Sequence, residues 1–112
     1  MKVIFETALQ GPEQPVMKTP ALDLMRLSDP LEISTPGEPG DVGIGKELAF
    51  PFTTIEDIVV LDRNIIGVIN DNNFPFSIGR HEATGQPDDT EFIVTLLERT
   101  LGTNPAALQC KR

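Results

Sequence analysis

Apolar residues along this chain come in short runs, and two of them, residues 54–61 (TIEDIVVL) and 65–70 (IIGVIN), are rich in β-branched side chains. Two such runs separated by Asp62-Arg63-Asn64 predict a β-hairpin. Their apolar stretches, 58–61 and 65–69, are continuous rather than alternating, which is the pattern of strands covered on both faces. A hairpin cannot cover both faces by itself, so the pattern implies a larger parent structure. EFIVTLL (91–97) predicts a third strand, after a polar loop that contains Gly79, Gly85 and Pro87. KVIFET (2–7) predicts a short strand. In ALDLMRL (21–27), Leu22, Leu24, Met25 and Leu27 fit either a strand or one and a half helical turns, and Asp29-Pro30 ends the element. Near the C-terminus, Thr103 or Asn104 is placed to cap a short helix over residues 103–108.

Between Gly11 and Pro51 stand seven prolines and five glycines in 41 residues. This stretch reads as a long irregular connection rather than as a core. Seventeen acidic residues against nine basic ones give a net charge of −8, which disfavours nucleic acid and anionic membrane surfaces as partners,. No stretch approaches the ~20 apolar residues of a membrane span. The opening MKVIFETALQ carries Glu6 and lacks the long apolar run of a signal peptide,. One cysteine, Cys110, and one histidine, His81, nearly exclude a zinc site,.

Several segments carry candidate chemistry. Gly40-Asp41-Val42-Gly43-Ile44-Gly45-Lys46 has the spacing of a phosphate-cradling loop, but Glu47 stands where a hydroxyl is needed and no strand precedes it,. A flexible glycine loop explains it better. Asn70-Asp71-Asn72-Asn73, at the end of an apolar strand, offers the hard oxygen ligands that Ca²⁺ prefers; an Asx-rich turn bonding its own backbone is the alternative. With a two-residue hairpin loop, Glu56 faces Asp71 across the ladder, their Cβ atoms roughly 5 Å apart. A three-residue loop puts Glu56 opposite Asn70 instead. Close carboxylates need a cation, a shared proton or a basic partner. Calcium is the first expectation for that compensation, with Glu56, Asp71 and Asn72 as ligands, and Arg80 is the rival. In Gly79-Arg80-His81, Arg80 suits an anion and His81 suits proton transfer, so both are candidate substrate-binding residues. Alternatively, Arg80 is the structural partner of Asp71 or Glu91.

Three stretches, FPFTTIEDIVVLD (50–62), VINDNNFPFSIGR (68–80) and PDDTEFIVTLL (87–97), resemble in order and spacing the C-terminal end of the phytase-like domain family, described as having esterase-like activity of phytase. KTPALDLMRLSDP (18–30) resembles the segment before that family's last blade. The resemblance implies a mainly β chain that forms about one blade of a partial β-propeller, with antiparallel strands near 54–61, 65–70 and 91–97. Residues 1–17 would be a remnant of the preceding blade and its loop, 18–98 the C-terminal part of the propeller domain and 99–112 a tail. The resemblance further implies a parent that is exported and that hydrolyses phosphate or other esters with calcium held by acidic side chains. Glu56 matches an acid on the inner strand, Asp71-Asn72 the motif ending the next, and Arg80 a basic residue in the following loop. The expected partners are further blades or self-association, and in the parent a small anionic ester. A non-catalytic binding or scaffolding propeller module is the alternative.

Overall fold

In a computed structural model the chain is described at residues 2–7, 17–35 and 37–102, with residues 2–7 and 17 as backbone. The seven described strands are β1 (Lys2–Thr7), β2 (Met17–Asp23), β3 (Leu27–Ser28), β4 (Glu47–Leu48), β5 (Ile55–Asp62), β6 (Ile65–Asn70) and β7 (Phe92–Leu96). All pairings among them are antiparallel: β1 with β2, β3 with β4, and a three-stranded meander in the order β5–β6–β7. The described residues contain no helix. The expected helix at 103–108 lies outside the described residues.

The mainly β expectation and its three strands hold, with boundaries moved by one residue at β5 and β7. Asp62 pairs with Ile65, so the hairpin loop is the two-residue Arg63-Asn64. The segment 21–27 is neither one strand nor a helix. It is the end of β2, a tight turn and the start of β3, because the Asp23 carboxylate and carbonyl take the N–H groups of Met25 and Arg26,.

One expectation about the proline-rich connection is overturned. Leu24, Leu27, Leu48 and Phe50 are buried together with Phe52, Ile66, Val68 and Leu97, so this stretch supplies half of the buried cluster among the described residues. It does so with little regular structure. The β3–β4 ladder is extended by hydrogen bonds from Asp29 N to the Lys46 carbonyl and from Phe50 N to the Leu24 carbonyl, both 2.8 Å. The Asp29 carboxylate accepts from Ile33 N and Ser34 N, closing the turn after β3. Phe50 and Phe52 meet edge to face with centroids 4.7 Å apart, a favoured aromatic arrangement.

Side chains alternate across a strand, which gives the meander two different faces. Ile66 and Val68 point into the core and are about fully buried, with Ile93 opposite Val68 on β7. On the other face Phe92, Val94 and Leu96 are 55%, 57% and 66% exposed, opposite Ile69, Gly67 and Ile65. A side chain at position 67 would collide with the Phe92 ring and with Val59 Cγ1, so glycine there lets β5 and β7 close over β6. On β5, Ile58, Val59, Val60 and Leu61 are all exposed, and the strand is an edge of the described sheet. Its continuous apolar run predicted cover on both faces, and the described residues supply little of it.

Candidate functional site

The chemistry-bearing side chains gather where the two ends of the β6–β7 connection meet: residues 71–81, which follow β6, and residues 87–91, which enter β7. Asn70 ends β6 fully buried. Its Nδ2 donates to the Asp89 carbonyl at 3.0 Å and its Oδ1 accepts from Glu91 N at 2.6 Å. Of the next three residues, Asp71 and Asn72 form Asx turns and Asn73 reaches Thr54. Asp71 Oδ1 accepts from Asn73 N, Asn72 Oδ1 accepts from Phe74 N, and Asn73 Nδ2 donates to Thr54 Oγ1. Asn73 takes a left-handed conformation, φ 48°, which Asn tolerates better than most residues,.

Glu56 does not face Asp71. β5 carries two irregularities relative to β6, one between Val60 and Asp62 and one between Ile55 and Asp57. Each inserts an extra residue, Leu61 and Glu56, so that Ile55 pairs with Asn70 and Asp71 N reaches the Thr54 carbonyl at 3.0 Å,. Neither hairpin register weighed from the sequence allows for such insertions. Glu56 is left exposed and unpaired in the ladder. Among the described residues no three or more His, Cys, Asp or Glu side chains form a group able to hold a metal. Of the three calcium-ligand candidates, Asp71 and Asn72 each spend one side-chain oxygen on a backbone N–H of the turn, which is the Asx-turn alternative,.

Arg80 is the most enclosed of the candidates, 2% exposed. Nε and Nη2 grip Glu91 Oε1 and Oε2 at 3.0 and 2.7 Å, a bidentate pair,. Nη1 donates to the carbonyls of Val42 and Ala49. Four of the five guanidinium N–H groups are thus used,. The guanidinium carbon also stands 5.4 Å from the Phe52 ring centre. Of the two carboxylates weighed as its structural partner, Glu91 is the one bound. Asp88 completes the clamp: its buried Oδ1 accepts from Gly79 N and Arg80 N at 2.8 and 2.9 Å. Gly79 has no room for a side chain, since a Cβ would collide with the Pro51 carbonyl.

His81 is buried between two carboxylates. Nδ1 lies 2.6 Å from Asp41 Oδ1 and Nε2 lies 3.1 Å from Asp89 Oδ2. Asp41 is itself fixed, because its Oδ2 accepts from the N–H groups of Gly37 and Glu38. The hydrogen bond from Asp41 raises the His81 pKa above the usual histidine range; burial pulls it back and Asp89 pushes it up again. Burial would raise the Asp41 pKa, but the His81 bond and the two backbone N–H groups outweigh it and leave it lowered. Asp41, Arg80, His81, Asp89, Glu91 and Phe92 line part of a half-open cleft of about 430 Å³.

The structure thus brings together Asn70, Arg80 and His81 with Asp88, Asp89 and Glu91, and Glu56 sits exposed at an irregularity of β5. Sequence reasoning missed Asp41 and Asp88. Asp41 lies inside the glycine loop that mimics a phosphate cradle, 40 residues from its partner, and nothing in the pattern joins the two. Asp88 and Asp89 had a signal, since acids directly before a predicted strand are natural caps for an incoming loop. Comparison with protein-family models, with curated proteins and with solved structures finds no match.

Proposed function

We propose that this chain forms about one blade of a phytase-like β-propeller, that the assembled propeller hydrolyses phosphate or other esters, and that the chain alone does not. The observation that carries this reading is the uncovered apolar face of the β5–β6–β7 meander, with Phe92, Val94 and Leu96 more than half exposed. A propeller blade is a small sheet of about four strands whose faces pack on neighbouring blades, and three antiparallel strands are present here. Two of the stretches that carry the family resemblance, 68–80 and 87–97, also interlock through Asn70, Arg80 and Asp88, which gives a physical reason for their occurring together. Glu56, Asp71 and Asn72 stay the candidate calcium ligands of this reading, and no step is routed through the ion.

A specific observation favours the second reading, a non-catalytic binding or scaffolding module. Arg80, the candidate anion clamp, spends its guanidinium on Glu91 and two backbone carbonyls. The test is turnover of p-nitrophenyl phosphate and p-nitrophenyl acetate. The purified 112-residue chain is expected to stay at background for both, because one blade cannot assemble a multi-blade site. Robust turnover that disappears in Glu56→Gln or Asp71→Asn excludes this. A propeller completed with further blades that still hydrolyses neither ester leaves only the non-catalytic reading.

Exposure of that apolar face has a second measurable consequence. The isolated chain is expected to self-associate in sedimentation velocity, with a weight-average mass that rises with concentration, and Val94→Lys is expected to abolish the rise. A wild-type monomer with a sharp, concentration-independent thermal transition contradicts the blade reading.

A further inference from the structure

The Asp41–His81–Asp89 arrangement is used by neither reading above. Its chemistry follows from counting donors. Both Asp41 oxygens accept, one from two backbone N–H groups and one from the His81 ring, so Asp41 is an ionised carboxylate and the proton of that contact sits on Nδ1,. Asp89 also offers a carboxylate, to Nε2. A neutral imidazole has one N–H and can satisfy only one of them, so both bonds exist together only in the imidazolium form.

The two bonds are unequal. Asp41 is 2% exposed in its side chain, 2.6 Å away and held by its own loop, whereas Asp89 is 79% exposed and 3.1 Å away. When the ring loses a proton, the one on Nδ1 stays, because removing it would set a buried lone pair against a fixed carboxylate. The proton on Nε2 leaves. Its lone pair then faces the Asp89 carboxylate, which is free to swing into solvent. What remains is an imidazole oriented by a buried carboxylate, with a bare nitrogen on a cleft of about 430 Å³.

We infer that Asp41 and His81 form a masked imidazole base site, with Asp89 as a proton-controlled cover that withdraws from Nε2 when the ring becomes neutral. The uncovered nitrogen takes a hydrogen-bond donor, a water or a hydroxyl group, from the cleft. This goes beyond the blade reading and does not depend on it. The surroundings are consistent with control by these two carboxylates. From the 37–41 loop, Asp41 faces the ring, while Glu38 contributes its amide to Asp41. From the 88–91 segment, Asp89 faces the ring, Asp88 turns to the Gly79 and Arg80 amides, and Glu91 is held by Arg80. In the turn that follows, Glu82 is exposed. The raised His81 pKa agrees with the same geometry.

The chain has one histidine, so its ring nitrogens are read without assignment ambiguity. The test is a ¹⁵N NMR titration of the full chain, with acylation of the ring by diethyl pyrocarbonate as a second readout. On the acid side both nitrogens should be protonated. Above the midpoint the neutral form should be the Nδ1–H tautomer, with Nε2 bare. Asp89→Asn, a change at an exposed position, should lower the midpoint and keep that tautomer. Asp89→Ala should be acylated at least several-fold faster than the parent near the parent's midpoint. An Nε2–H tautomer in the neutral parent overturns the inference. So does a midpoint unmoved by Asp89→Asn, or an acylation rate unmoved by Asp89→Ala.

Discussion

Arg80→Ala is expected to cost about 3–5 kcal/mol, the range for breaking a buried ion pair by removing one partner, a large loss against the about 5–15 kcal/mol total stability of a domain. Three losses coincide. Glu91 keeps a charge with its guanidinium gone, the Val42 and Ala49 carbonyls lose their donor, and a fully buried side-chain volume is emptied against Phe52. Glu91 is 30% exposed and regains some water, which holds the expected cost within that range rather than above it. Urea denaturation followed by circular dichroism checks it. Arg80→Lys should fall in between, since an ammonium restores the charge without the two-pronged geometry. Glu91→Gln should cost less than Arg80→Ala, because it keeps an acceptor for the guanidinium and leaves the two carbonyl bonds intact. An Arg80→Ala chain within about 1 kcal/mol of the parent, well below the range for a broken buried pair, would mean that Arg80 is not structural and would return it to the list of substrate-binding candidates.

The second large effect is expected at Asn70. Asn70→Leu keeps much of the volume but deprives the Asp89 carbonyl and the Glu91 N–H of their partners at a fully buried position. An unsatisfied buried group costs about 1–3 kcal/mol, so the pair should cost about 2–6 kcal/mol. The loss should also be local in character, because these two bonds tie the end of β6 to the entrance of β7. Hydrogen exchange of the β7 amides should accelerate more than that of β6. Asn72→Ala is the internal control. Its oxygen caps one exposed amide, that of Phe74, and its loss should stay near or below about 1 kcal/mol. Equal effects at 70 and 72 would show that the Asn-Asp run acts as one unit, as a metal site requires, rather than as a buried clamp followed by a surface turn.

Stability against pH is governed at its two ends by different groups. His81 has a raised folded pKa, so the stability it contributes is complete below the unfolded value, about 6.5, and is lost as pH rises through the folded value. Asp41 and Asp29 have lowered folded pKa values, so their contribution is present above the unfolded carboxylate value and is lost as pH falls through the folded one. The chain is thus most stable in mildly acidic solution.

The local features of this protein were legible in its sequence. β-Branched runs marked β5, β6 and β7 to within a residue, because strand propensity and apolar patterning act over a few neighbours. The two-residue turn at Arg63-Asn64 was one of two hairpin registers the sequence allowed. The Asx turns after β6 and the Arg80–Glu91 pair stood among the alternatives, since each joins residues close in sequence. What only the tertiary structure decided were the features that depend on how distant segments fit. The insertions at Glu56 and Leu61 take Glu56 out of register with Asp71. They answer to the local fit of β5 against β6, which no residue count contains. Asp41 meets His81 across 40 residues, where its neighbour Val42 is tied to Arg80 on both sides: the Val42 carbonyl accepts from the guanidinium and the Val42 N–H donates to the Arg80 carbonyl. The proline-rich stretch becomes core because burial depends on which surface a side chain meets, and Leu24, Leu48 and Phe50 join Ile66 and Val68 of β6 in one buried cluster. Patterning names the residues that want to leave water; the packed chain alone determines which of them do.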